Sequence, residues 1–186
     1  MNEQLPHYFF AIPLPEEVRK WLSGYAETLK ERMPYKVWPD RDDYHITLAF
    51  LGAAGFQKIN EVKQAVMKTV EGQPTFSLKL NELGTFGNPK RPRVLWAGIK
   101  AHPELFELQK KVQSACESIG FQLDKRPYKP HITLAKKWAG AEAEVLDQKK
   151  IEIQLEALAW EVRGMVLYRI HLNQKPKYQP LKIFRF

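Results

Sequence analysis

The pentapeptide His-Ile-Thr-Leu-Ala occurs twice in this chain, at 45–49 and again at 131–135, so the second copy starts 131 − 45 = 86 residues after the first in a sequence of 186. A repeat at close to half the chain length predicts an internal duplication, two related halves built around the same short segment. Side chains alternate between the faces of a strand, so His45 and Thr47 share one face while Ile46 and Leu48 point the other way. The same alternation sets His131 and Thr133 against Ile132 and Leu134. A packing motif kept by duplication accounts for the apolar positions, but it does not account for two polar residues repeated on one face. Two such strands related by a pseudo-twofold axis bring two imidazoles and two hydroxyls into one cleft.

The remaining sequence supplies a framework of strands and helices. His7 to Ile12 reads as a buried strand ending at Pro13, and Val18, Leu22, Tyr25 and Leu29 form one apolar helical stripe after Pro15. Tyr44 to Leu51 is a strand closed by Gly52. Ile59, Val62, Val66 and Val70 mark a second helix, and Thr75 to Leu80 alternates like a strand. A loop is expected around Gly84, Gly87, Pro89 and Pro92, followed by a strand at Val94 to Ile99. Leu105, Leu108, Val112, Ala115 and Ile119 make a third helix, with Gly120 placed to cap it. Beyond it come a strand at His131 to Ala135, a short helix near Ala141 to Asp147, and strands around Ile151 to Trp160, Met165 to Leu172 and Leu181 to Phe184. Neighbouring strands joined by short turns favour an α+β fold with mixed or antiparallel pairing. No linker divides the chain, so residues 1–186 are expected to form a single domain.

Composition narrows the partners. With 44% hydrophobic and 27% charged residues the chain has the balance of a soluble globular protein with a substantial core, which excludes disordered, collagenous and coiled-coil classes. Twenty-nine Lys and Arg against 21 Asp and Glu give a net charge of +8, which attracts polyanions and favours nucleic acid or a phosphorylated small molecule over a neutral partner. The single cysteine, Cys116, can form neither an internal disulfide nor a multi-cysteine zinc site. The opening MNEQLPHYFFAIPLPEE lacks a basic n-region, and Pro13 and Pro15 interrupt its apolar run, so neither a signal peptide nor a membrane span is expected. These features fit a cytoplasmic protein.

Paired histidines and hydroxyls suit a phosphodiester. An imidazole with an ordinary pKa near 6.5 can take a proton from water while a second, protonated, gives one to the departing oxygen. Threonine hydroxyls can donate to non-bridging phosphate oxygens, in charge-assisted bonds roughly twice as strong as neutral ones. The residues alone leave open which histidine is acid and which is base.

The segments HITLAFLG at 45–52, RPYKPHITLA at 126–135, YFFAIPLP at 8–15 and PRVLWAGI at 92–99 closely resemble the two-histidine phosphoesterase superfamily, in particular the bacterial RNA 2',3'-cyclic phosphodiesterases (LigT-like, or 2'-5' RNA ligase-like, proteins). The resemblance implies a bilobal, pseudo-twofold α+β fold with two mostly antiparallel sheets lining a central cleft and helices outside. It also implies metal-independent and cofactor-independent hydrolysis of a terminal 2',3'-cyclic phosphate of RNA to a 2'-phosphate. Carried over by motif position, His45 is the proton donor to the leaving 3'-oxygen, His131 the proton acceptor from water, and Thr47 and Thr133 the residues that hold phosphate. Lys136 stands where relatives often have Arg, keeping the charge without the planar two-pronged donor, and is expected to bind phosphate. His7 stands where relatives place an Arg.

Within the same cleft the alternatives are a small cyclic nucleotide or ADP-ribose cyclic phosphate as substrate, or joining of RNA ends through a 2'-5' bond. From another class, a non-catalytic RNA-binding module would use the basic cleft only for affinity. A monomer is expected. Phe9, Tyr128 and Trp96 are candidates to stack a base, against the more common core role of strand aromatics. His7, His102 and His171 have no repeated partner and are read as surface or structural. The basic run at Lys90, Arg91 and Arg93 either guides RNA or is a solvated loop.

Overall fold

The computed structural model describes residues 5–141 and 158–186. Its first unit is strand β1 (His7–Pro13), helix α1 (Glu16–Lys30), a short strand β2 (Tyr35–Val37), a 3-10 turn (Arg41–Asp43) and strand β3 (His45–Ala53). Helix α2 (Phe56–Thr69) leads to a long hairpin, β4 (Phe76–Asn88) and β5 (Arg91–Ile99). Helix α3 (Pro103–Ser118) then leads to β6 (His131–Trp138), and the chain finishes with β7 (Ala159–Val162), β8 (Gly164–Ile170) and β9 (Tyr178–Arg185).

The helices follow from their apolar spacing. Val18, Leu22, Ala26 and Leu29 are the buried stripe of α1, Ile59, Val62 and Val66 that of α2, and Leu105, Leu108, Val112 and Ala115 that of α3. Glu16 and Glu17 in the first turn of α1 and Lys30 in its last turn complement the helix dipole. Pro103 occupies the first turn of α3, and Gly120, at φ +83°, lies just past its end. Among the described residues no helix is long and apolar enough to cross a membrane.

The strands form a four-stranded sheet in the order β3-β1-β8-β9 and a five-stranded sheet in the order β2-β6-β5-β4-β7, with every pairing antiparallel. With the edge strand β2 set aside, the two orders correspond place for place. Each begins with a motif strand (β3 or β6), continues with the strand that precedes it across a helix (β1 or β5), and then takes a strand from the other half of the chain (β8 or β4). The correspondence extends to the pairing. Ala11 and Phe10 of β1 face Thr47 and Ala49, which leaves Leu48 as a bulge. Leu95 and Trp96 of β5 face Ala135 and Thr133, which leaves Leu134 as the equivalent bulge. Both leucines turn into the core with Ile46 and Ile132, and the carbonyl of Leu48 accepts a bond from the buried amide of Gln109 on α3 at 3.4 Å.

The loop expected around Gly84, Gly87, Pro89 and Pro92 is instead the continuation of β4 and a tight turn into β5. Those glycines serve close approach, not chain breaking. A Cβ at Gly84 would lie 2.1 Å from the indole of Trp96 on the paired strand, and Gly87, at φ +102°, sits where the register shifts. Gly52 likewise does not close its strand, which runs on to Ala53. The short helix expected over 141–147 lies outside the described residues apart from Ala141. The strand expected over 151–160 lies outside them for 151–157, and β7 accounts for its end.

Candidate active site

β3 places His45 and Thr47 on its open face, both half-buried. The Nδ1–H of His45 donates to the backbone carbonyl of Asp43 at 2.7 Å. A carbonyl can only accept, so the neutral ring keeps its lone pair on Nε2, which takes a bond from the Thr47 hydroxyl at 3.0 Å. Three aromatic rings wall the imidazole: Phe9 at 4.8 Å, Tyr178 edge-on at 5.1 Å and Tyr168 at 6.4 Å between centroids.

β6 repeats the device. The Nδ1–H of His131 donates to the carbonyl of Lys129, again two residues upstream and again at 2.7 Å. Thr133 follows on the same face, half-buried. Phe86 meets the ring edge-on at 4.8 Å and Trp96 lies at 6.3 Å. The Trp96 indole rests on Gly84 and Gly98, and the ammonium of Lys129 lies over its ring at 4.3 Å. In both halves the backbone fixes the same tautomer and leaves the lone pair of the neutral ring on Nε2.

β3 and β6 approach one another across the two sheets. Between them the hydroxyl of Tyr128, from the loop ahead of β6, donates to the carbonyl of Thr47 at 3.0 Å. Burial pushes the His45 pKa down to about 4, and the nearby cationic forms of Lys136 and His131 lower it further, against the opposing Asp43 carbonyl bond. His131 is lowered as well, by burial first and then by Lys136 and Lys129, with its Lys129 carbonyl bond opposing. Lys136 is lowered by burial and by Lys177, while Asp43 acts the other way. His45, His131 and Lys136 therefore sit within one another's electrostatic reach, on strands from the two halves. The residue after Lys136, Lys137, takes φ +64°, an uncommon conformation for a side-chain-bearing residue.

Several contributors have no signature in the sequence. Lys177, Tyr168 and Tyr178 join the site through the fold alone, from segments far from either motif, and Asp43, two residues ahead of His45, lies outside the repeated string. Of the aromatics considered for base stacking, Phe9 and Trp96 are 2% exposed, and Tyr128 spends its hydroxyl on Thr47; all three pack as structure. His102 pairs with Glu104 and stacks on Phe76, His171 bonds Gln179, and His7 lies against Phe50, so these three have local partners away from the paired motifs. Surface concavities along β9, lined by residues such as Pro180, Lys182 and Arg185, contain none of the motif side chains. Among the described residues no group of three or more His, Cys, Asp or Glu side chains is arranged to hold a metal ion.

The profile of the 2'-5' RNA ligase superfamily matches residues 14–174. An RNA 2',3'-cyclic phosphodiesterase of Bacillus subtilis strain 168 is 34% identical over 186 residues, covering 100% of this chain and 98% of that protein. One from Geobacillus stearothermophilus is 38% identical over 178 residues, 96% of this chain, and the chain spans 56% of its length. Among solved structures, a Thermus thermophilus protein superposes with a TM-score of 0.80 at 26% identity, covering 96% of this chain and 97% of its own. Escherichia coli LigT complexed with 3'-AMP gives 0.77 at 25% identity, covering 97% of this chain and 98% of its own.

Proposed function

The chain belongs to the 2'-5' RNA ligase superfamily, and from that premise we propose that it is an RNA 2',3'-cyclic phosphodiesterase that opens a terminal cyclic phosphate to a 2'-phosphate. The observation that carries this reading is the mirrored pair of 2.7 Å bonds from Nδ1 of His45 and His131 to backbone carbonyls, which leaves the lone pair of each neutral ring on Nε2. Several relatives bear the same activity in their names. The chain acts as one two-lobed domain, each half supplying one His-x-Thr strand.

In the proposed reaction His131, neutral because burial and then the Lys136 charge depress its pKa, takes a proton from water as the water oxygen bonds to phosphorus. The bond from phosphorus to the 3'-oxygen breaks, and protonated His45 gives that oxygen its proton through Nε2. Thr47, Thr133 and Lys136 hold the non-bridging oxygens. Unliganded His45, at about 4, is neutral near pH 7, so the acid is charged with the substrate bound, where the phosphate monoanion beside its ring raises its pKa and a single proton serves the pair. No step calls for a metal ion or cofactor.

The test is an oligonucleotide ending in 2',3'-cyclic phosphate, incubated with the protein and a chelator. The expected product is a 2'-phosphate end, and replacing His45 or His131 by Ala is expected to lower turnover by about a hundredfold or more. Absence of product, or strict dependence on added metal, contradicts the proposal. Comparing turnover of the oligonucleotide with that of a cyclic mononucleotide separates RNA ends from small cyclic phosphates as the preferred substrate.

A further inference from the structure

Among the described residues Asp43 is the one buried carboxylate, 6% exposed. It ends the 3-10 turn two residues before His45, and its two ends do different work. Its backbone carbonyl fixes Nδ1 of His45. Its carboxylate reaches across to the start of β9, where Oδ1 accepts the backbone N–H of Lys177 at 2.8 Å and of Tyr178 at 3.1 Å, and Oδ2 accepts Lys177 again at 3.1 Å. These partners lie 134 and 135 residues away in sequence. The counterpart in the second half, Lys129, provides the same carbonyl to His131, but its side chain lies over Trp96. The backbone device is shared between the halves, and the carboxylate strap belongs to the first alone.

A buried carboxylate is an expensive way to hold a loop, because desolvation must be offset by bonds to it. Here two consecutive N–H groups provide that offset, and burial still raises the Asp43 pKa against them. What the strap fixes is functional geometry. Tyr178 stands edge-on to His45 at 5.1 Å and to Phe9 at 4.9 Å. Lys177 lies close enough to Lys136 to lower its proton affinity.

We propose that Asp43 is a positioning residue for the reaction: its carboxylate pins the entry to β9, so that Tyr178 walls the His45 ring and Lys177 stands beside Lys136 as a second cation for the phosphates of the substrate. The proposal rests on the reading that His45 and His131 act on one phosphate. The Asp43 carboxylate bonds the backbone of Lys177 and Tyr178 at β9 and lies within electrostatic reach of Asp40 on its own turn, Tyr168 on β8 and Lys136 on β6. The groups facing His45 are His131 and Lys136 on β6, with the phenols of Tyr168 and Tyr178.

The test is steady-state kinetics on the cyclic-phosphate-ended oligonucleotide with Asp43→Asn, Lys177→Gln and the double variant, over a series of salt concentrations. Asparagine keeps the shape and one acceptor oxygen but loses the negative charge and puts an amide N–H₂ where Oδ2 accepts from Lys177. Asp43→Asn is expected to lower kcat by about tenfold or more, the scale of a misplaced catalytic group, and to raise KM. Lys177→Gln is expected to raise KM by about threefold to tenfold, one charge-assisted contact, and to reduce the slope of log KM against log salt by about one charge. In the double variant KM is expected to match Asp43→Asn alone, because a released strap no longer presents Lys177. Additive effects on KM, or a salt slope unchanged in Lys177→Gln, overturn the proposal. Lys177→Gln decides the matter even where Asp43→Asn does not fold. If wild type shows no turnover, it is the enzymatic reading that fails; if wild type is active and both single variants match it, the positioning role alone fails.

Discussion

A histidine whose pKa falls from 6.5 to about 4 on folding marks both the stability and the pH dependence of this protein. Between those values the unfolded chain binds the proton that the buried His45 ring refuses. Stability is therefore complete above about 6.5 and declines as pH falls toward 4, and His131, also lowered, adds to the same trend. Denaturant titrations at pH 7 and pH 5 check this, with a lower midpoint expected at pH 5 and a smaller difference in His45→Ala. In catalysis kcat/KM reports the free protein, so its alkaline decline is expected to begin below the ordinary histidine value, whereas kcat, which reports the bound complex, holds to higher pH. At this scale the two His-x-Thr pairs and Lys136 were legible because each sits in or next to a repeated string. Asp43, Lys177 and Tyr178 were not, since only the pairing of distant segments gives them a role. Phe9, Tyr128 and Trp96 are aromatic in the sequence without any sign of whether they meet substrate or core.

At the level of elements, the pentapeptide encodes a strand with a built-in irregularity, because Leu48 and Leu134 are bulged at equivalent places. A bulge re-aims the chain beyond it, which makes the repeated Leu as informative as the repeated His. The helices were legible from their three- and four-residue apolar spacing. β2 was not, being three residues long, and the length of β4 was hidden by glycines whose strand role depends on a tryptophan across the sheet. That dependence is testable. Gly84→Ala places a methyl group 2.1 Å from the Trp96 indole, so the ring, and with it the wall of His131, must move. The expected cost is about 1–3 kcal/mol in stability, read by denaturant unfolding, together with a lower kcat. Gly24→Ala is the control: a Cβ there meets nothing within 4 Å, inside a helix where Ala is favoured over Gly, and it is expected to hold or raise stability.

For the molecule as a whole, the two halves meet where β3 and β6 come together, the chain carries a net charge of +8, and the proposed substrate is an anion. Screening should weaken a long polyanion more than a short one. The KM for a cyclic-phosphate-ended oligonucleotide is expected to rise with salt more steeply than that for a cyclic mononucleotide, by a log–log slope of about 0.7 for each further phosphate neutralised; equal slopes would confine recognition to the terminal nucleotide. The duplicated architecture was visible in the spacing of the repeats, but the exchange of β4 and β8 between sheets was not, because strand partners across a chain leave no local mark. Whether the rings of His45 and His131 share one phosphate is tested directly by imidazole NMR during titration with a nucleoside 2'-monophosphate. Both rings are expected to shift together with a single Kd and both pKa values to rise on binding; a response from one ring alone, or two rings saturating at different concentrations, would contradict a shared phosphate.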